Sequence, residues 1–119
     1  MHDESLIYGS IIPPEVFLNH DIAPMEKILF GVIYAHIHKN NFECCDLSNK
    51  QLGDSISAHP NSVSKAISKL QKYQYIKVEF GHKEESGGFK RKIYINEDFH
   101  EIYAHIVLKK AQETEFYHE

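Results

Sequence analysis

Pro60 starts a second amphipathic helix three residues after a first one is interrupted. Upstream of it, Ser48-Asn49-Lys50-Gln51 has the pattern of a capping box, in which the serine accepts from a free backbone N–H and the glutamine reaches back. A helix is therefore expected over 49–56. Leu52 and Ile56 define its apolar side, and Gly53 within it costs about 1 kcal/mol relative to alanine, tolerable where a partner must approach closely. Ser57-Ala58-His59 breaks the pattern, and Pro60, suited to the first helical position, restarts it. The helix expected over 60–73 turns Val63, Ala66, Ile67 and Leu70 inward and leaves Asn61, Ser62, Ser64, Lys65, Ser68, Lys69 and Lys72 outside. Two helices joined by three residues are the parts of a helix-turn-helix.

The remaining segments supply its surroundings. Pro24 sits at another first-turn position with Asp21 near enough to help cap, and Met25, Ile28, Leu29, Val32, Ile33 and His36 recur at helical spacing, so a helix is expected over 24–39. Ahead of it, the run ending at Ile11-Ile12 and stopped by Pro13-Pro14 suits an extended edge, and 15–19 one helical turn. Residues 42–47 are short and rich in Phe and Cys, as a buried strand would be. Residues 75–80 and 89–95 alternate apolar and polar around a glycine-containing turn, the pattern of an antiparallel hairpin. Asp98 can cap a last helix, to about 114, whose stripe Ile102, Tyr103, Ile106 and Val107 is either the last wall of the core or a dimer contact, the latter favoured because the hairpin already closes a winged-helix core. The order predicts an α+β winged helix-turn-helix: a three-helix core, a β-hairpin wing and an additional C-terminal helix. Residues 1–95 would be the DNA-binding domain and 96–119 the dimerisation element.

Charge first points away from nucleic acid, because the 119 residues carry a net −4. Its distribution reverses that inference. Residues 1–49 hold two basic and seven acidic side chains, residues 50–92 nine basic and four acidic, and residues 93–119 two basic and six acidic. The positive block coincides with the helix-turn-helix and the hairpin, so one basic face is compatible with an acidic whole. Base edges fall to the start of helix 60–73: Asn61 pairs with adenine, Lys65 donates to guanine, and Ser62 and Ser64 take either base or phosphate. Lys50, Ser68, Lys69 and Lys72 are assigned to phosphates, with Lys90, Arg91 and Lys92 of the wing. Strand alternation sends Lys90 and Lys92 to the face opposite Arg91, so the three cannot all touch DNA together.

The stretches Tyr8-Gly-Ser-Ile-Ile-Pro13, Asp21-Ile-Ala-Pro-Met-Glu-Lys-Ile-Leu-Phe-Gly-Val-Ile33 and Ser48-Asn-Lys-Gln-Leu52 resemble the winged-helix domain at the head of phage replisome organisers and plasmid replication initiators. Ser62-Val-Ser-Lys-Ala-Ile-Ser-Lys-Leu70, Tyr75-Ile-Lys-Val78 and Arg91-Lys-Ile-Tyr-Ile95 continue the resemblance, which spans about three-quarters of the chain. It implies binding of double-stranded DNA at an origin or operator, with a host replication or regulatory protein as a further partner. Two departures stand out: the family often continues into a second domain, and Glu84 and Glu85 at the wing tip would repel phosphate.

Other chemistries find less support. No nucleophile and base pair, phosphate loop or paired-carboxylate motif is present, so no enzyme is expected and no cofactor is assigned. His36 and His38 are two apart and His100 and His105 five apart, neither a shared-face metal spacing on a helix. Cys44-Cys45-Asp46-Leu47 is similar to the cysteine box of metal-sensing winged-helix repressors, but adjacent cysteines on a strand point to opposite faces and the run on to Leu52 and Ile56 is longer than in that box. Ordinary reduced thiols are expected, and no metal. With no apolar run of membrane-spanning length and no signal-peptide layout at MHDESLIYGS, a cytoplasmic protein is expected. The rival function is a winged helix kept as a protein-interaction module, such as a phage inhibitor or antirepressor; a metal-responsive repressor comes third.

Overall fold

A computed structural model describes residues 9–83 and 89–96. Four helices precede a hairpin: α1 (Pro14–Phe17), α2 (Pro24–Lys39), α3 (Asn49–Ile56), α4 (Pro60–Lys72), β1 (Ile76–Lys83) and β2 (Phe89–Ile95). The architecture is α+β and compatible with a winged helix. The expected C-terminal helix with its dimer stripe, and the wing-tip Glu84 and Glu85, lie outside the described residues.

The punctuation residues place the helix boundaries. Pro24 and Pro60 occupy first-turn positions, and Ser48 Oγ accepts from Gln51 N at 3.1 Å while Gln51 Oε1 accepts from Ser48 N at 2.9 Å. The cap of α2 differs from expectation. Its N-cap is Ala23, whose N–H donates to Glu26 Oε1 at 2.8 Å, while the Asp21 backbone N–H donates to Asn19 Oδ1. An acid within the first turn can fold back onto the cap, which Asp21, two residues ahead of it, is not placed to do.

Packing then brings the helices together. Leu29, Phe30 and Ile33 of α2, Leu52 of α3, Val63 and Leu70 of α4 and Ile93 of β2 share one core without exposed surface. Burying each such side chain contributes roughly 1.5–3 kcal/mol. Among the described residues, the N-terminal stretch 9–12 belongs to no sheet. It crosses α2 at Gly31, where Ile11 N donates to Gly31 O at 3.1 Å, and a Cβ on that glycine would collide with Ser10 and Ile12. Tyr75, fully buried after α4, receives Asn19 Nδ2 on its hydroxyl at 2.6 Å and donates to Glu15 O at 3.3 Å, tying α1 to the start of the hairpin.

β1 and β2 are antiparallel, with Ile76 opposite Ile95, Val78 opposite Ile93 and Phe80 opposite Arg91. The short strand expected over 42–47 shrinks to one bridge: Cys45 exchanges both backbone hydrogen bonds with Ile93, at 2.8 and 2.9 Å. The ladder stops because the carbonyl of Leu47, two residues on, is taken by the Arg91 side chain instead of by a strand. No helix among the described residues is long and apolar enough to cross a membrane.

Candidate nucleic-acid interface

The turn between α3 and α4 sets the geometry of the site. α3 ends on Ser57 in the left-handed conformation (φ 57°), and the chain doubles back so that Ala58 N donates to Gly53 O at 2.9 Å. His59 then caps α4, its Nδ1 accepting from Asn61 N at 3.0 Å. This cap was not anticipated. Histidine is an uncommon cap, and its only local signal is its place directly before the first-turn Pro60.

With its apolar side against α2 and α3, α4 presents one exposed face that holds the stripe Asn61, Ser64, Lys65, Ser68 and Lys72, with Gln71 exposed beside it. From Asn61 to Ser64 or Lys65, on to Ser68 and then to Lys72, the steps are three or four residues, so the side chains share a face. Among the described residues, neither Lys65 nor Lys72 forms an ion pair. Ser62 and Lys69, seven apart, are half-buried at the stripe's edge. Lys69 Nζ lies 3.1 Å from Glu26 Oε1, the carboxylate that also closes the cap of α2. That residue braces two helices, which competes with the phosphate role expected of it. Lys50 is exposed and pairs with Asp54 at 3.1 Å one turn along α3, a solvated contact that a phosphate can readily replace.

The wing divides its cations. Lys92 stands opposite Glu79 on the outer face, and Lys90 lies 3.9 Å from Asp46. Arg91 turns the other way. Its guanidinium donates to Asn49 Oδ1 at 2.5 Å and to Leu47 O at 2.6 Å, locking the wing to the start of α3. Burial lowers the Arg91 pKa from its ordinary value, with the nearby Cys45 acting in the opposite sense. Arg91 is therefore a half-buried clamp within the molecule, with both terminal nitrogens engaged, and does not present a free guanidinium to phosphate. Lys92 is split from Arg91 as expected, whereas Lys90, beside the register shift that follows Phe80, lines one cleft together with Arg91; no local pattern predicts the inward use of Arg91.

The cysteines separate as adjacent strand residues do. Cys45 is buried in the core and Cys44 half-buried, and both thiols are free. Burial pushes the Cys45 thiol up from 9.0 to about 11. Among the described residues no group of three or more His, Cys, Asp or Glu side chains is placed to hold a metal ion. Comparison with protein-family models, curated proteins and solved structures gives no match to this chain.

Proposed function

We propose that the protein is a winged-helix, sequence-specific binder of double-stranded DNA, acting in replication initiation or transcriptional repression of a phage, plasmid or other mobile element. The observation that carries this reading is the exposed stripe of Asn61, Ser64, Lys65, Ser68 and Lys72 on a helix braced from behind by α3. Such a helix is a rod of major-groove width, with amide and ammonium donors near its start for base edges and a cation further along for phosphate. The role is non-enzymatic and needs no cofactor. Replication or repression, the mobile-element setting, a host partner and a homodimer formed through 96–119 belong to the same proposal and rest on the sequence resemblance and the C-terminal apolar stripe.

A titration of duplex DNA at rising salt tests the reading. Affinity should fall steeply, with a slope of about −0.9 per phosphate neutralised, and Lys65→Ala should reduce discrimination among sequences selected from a random pool. Affinity indifferent to salt, or wild-type selectivity in Lys65→Ala, counts against it. The interaction-module reading draws on one observation, the exposed apolar side chains Ile11, Phe17, Leu18 and Ile28 of the N-terminal half. Under that reading no duplex is bound at any salt concentration.

A further inference from the structure

We propose that the cleft between the wing and the start of α3 binds an unpaired nucleotide of single-stranded DNA, with Phe80 as the surface on which its base stacks. The inference rests on the DNA-binding reading and extends it from the closed duplex to a melted strand. It begins with an anomaly in the ladder. Ile76 and Ile95 are buried, Val78 and Ile93 pack in the core, and Phe80 with Arg91 continues the same face, yet Phe80 is 70% exposed, more than any other large apolar side chain among the described residues.

Beside that ring lies a cleft of about 340 Å³ lined by Asp46, Asn49, Lys90 and Arg91. Each supplies one part of nucleotide recognition. Lys90 brings a positive charge for a phosphate. Because Arg91 donates to Asn49 Oδ1, the amide is oriented and its Nδ2 remains as a donor to a base edge. The Asp46 carboxylate, 3.9 Å from Lys90, is an acceptor for a base N–H, such as the imino N3–H of thymine. An aromatic plane, a donor, an acceptor and the Lys90 ammonium within one cleft match the face, edge and phosphate of a nucleotide. A closed duplex cannot use them together, because its base faces are covered by stacking and its pairing edges are occupied.

The chain has no tryptophan, so Phe80→Trp installs a single indole at the site, which can be excited selectively at wavelengths longer than the chain's seven tyrosines absorb. The full-length variant is titrated with a twelve-nucleotide oligothymidine and, separately, with a blunt duplex. Quenching by the oligothymidine is expected, with little change on adding duplex. Phe80→Ala and Phe80→Leu should each weaken oligothymidine binding by about five- to a hundredfold while leaving duplex affinity within about twofold. Since Phe80 is exposed, unchanged melting curves will verify that these variants fold. Wild-type strand affinity in both variants, or no quenching, overturns the proposal. If Lys65-dependent duplex binding survives that result, only the cleft assignment fails; if neither form of DNA binds the wild-type protein, the DNA-binding reading fails with it.

Discussion

Gly53 lies against the carbonyl of Ala58, so closely that a Cβ on the glycine would stand 2.4 Å from that oxygen. Backbone cannot yield there without opening the turn that sets α3 against α4. Helix propensity alone would make Gly53→Ala stabilising by about 1 kcal/mol. The contact reverses the sign: we predict a loss of about 1–3 kcal/mol in chemical denaturation. Gly81→Ala is the control, since its Cβ would meet nothing nearer than 3.4 Å. Equal stability of the two variants would show that the turn does not depend on Gly53.

Removing Arg91 should cost more than its position on a two-stranded hairpin suggests. Arg91→Ala leaves the Leu47 carbonyl and Asn49 amide without their donor, and a hydrogen bond to a charged group is worth about 1.5–3 kcal/mol. Arg91→Lys should recover little of this, because one ammonium cannot reproduce a planar fork serving two acceptors. Urea denaturation of both variants decides the matter.

Lys69 and Lys72 lie one turn apart and should behave differently. Lys72→Ala is expected to lower the salt slope of duplex binding by about one ion with stability unchanged. Lys69→Ala, which releases Glu26, should reduce stability by about 1 kcal/mol or less and change the slope little. A reversal of the two slopes would return Lys69 to the DNA.

The Cys45 thiol makes stability depend on pH on the alkaline side. Its pKa is higher folded than unfolded, so the contribution is complete below pH 9 and is lost as pH rises through about 11. Across that window the unfolded chain binds fewer protons, and stability should fall by about 2–3 kcal/mol from this group. Cys45→Ala should flatten the slope relative to wild type. Thiol-labelling kinetics supply a second readout, with Cys44 modified well before Cys45.

His59→Ala should weaken the start of α4 by about 0.5–2 kcal/mol, whereas His59→Asn should keep the cap and most of the stability. Thermal melts of the pair separate a capping role from an incidental contact.

The helix boundaries at Pro24, Asn49 and Pro60 were readable in sequence because prolines and a capping box are local signals. The hairpin was readable from alternation. What escaped reading depends on neighbours distant along the chain. Nothing near Arg91 announces that Leu47 and Asn49 lie within its reach, nor anything near Lys69 that Glu26 does. The segment 42–47 has strand composition, yet pairing is a property of the partner, and β2 offers it only Ile93. Phe80 fits an alternating strand; that the core ends before reaching it is visible only in three dimensions. The stripe on α4 was foreseen apart from its edge, where Ser62 and Lys69 turn out half-buried.

Tyr75 has a consequence for the order in which the molecule assembles. Its hydroxyl reaches partners 56 and 60 residues back along the chain, whereas α3 and α4 meet across a three-residue turn. Loop-closure entropy disfavours the distant contacts, so the helix pair and hairpin can associate early and the N-terminal segment closes over them late. Truncating Tyr75 would then accelerate unfolding and leave the folding rate largely intact. The half of the molecule proposed to read DNA is also the half that needs the least of the chain in order to form.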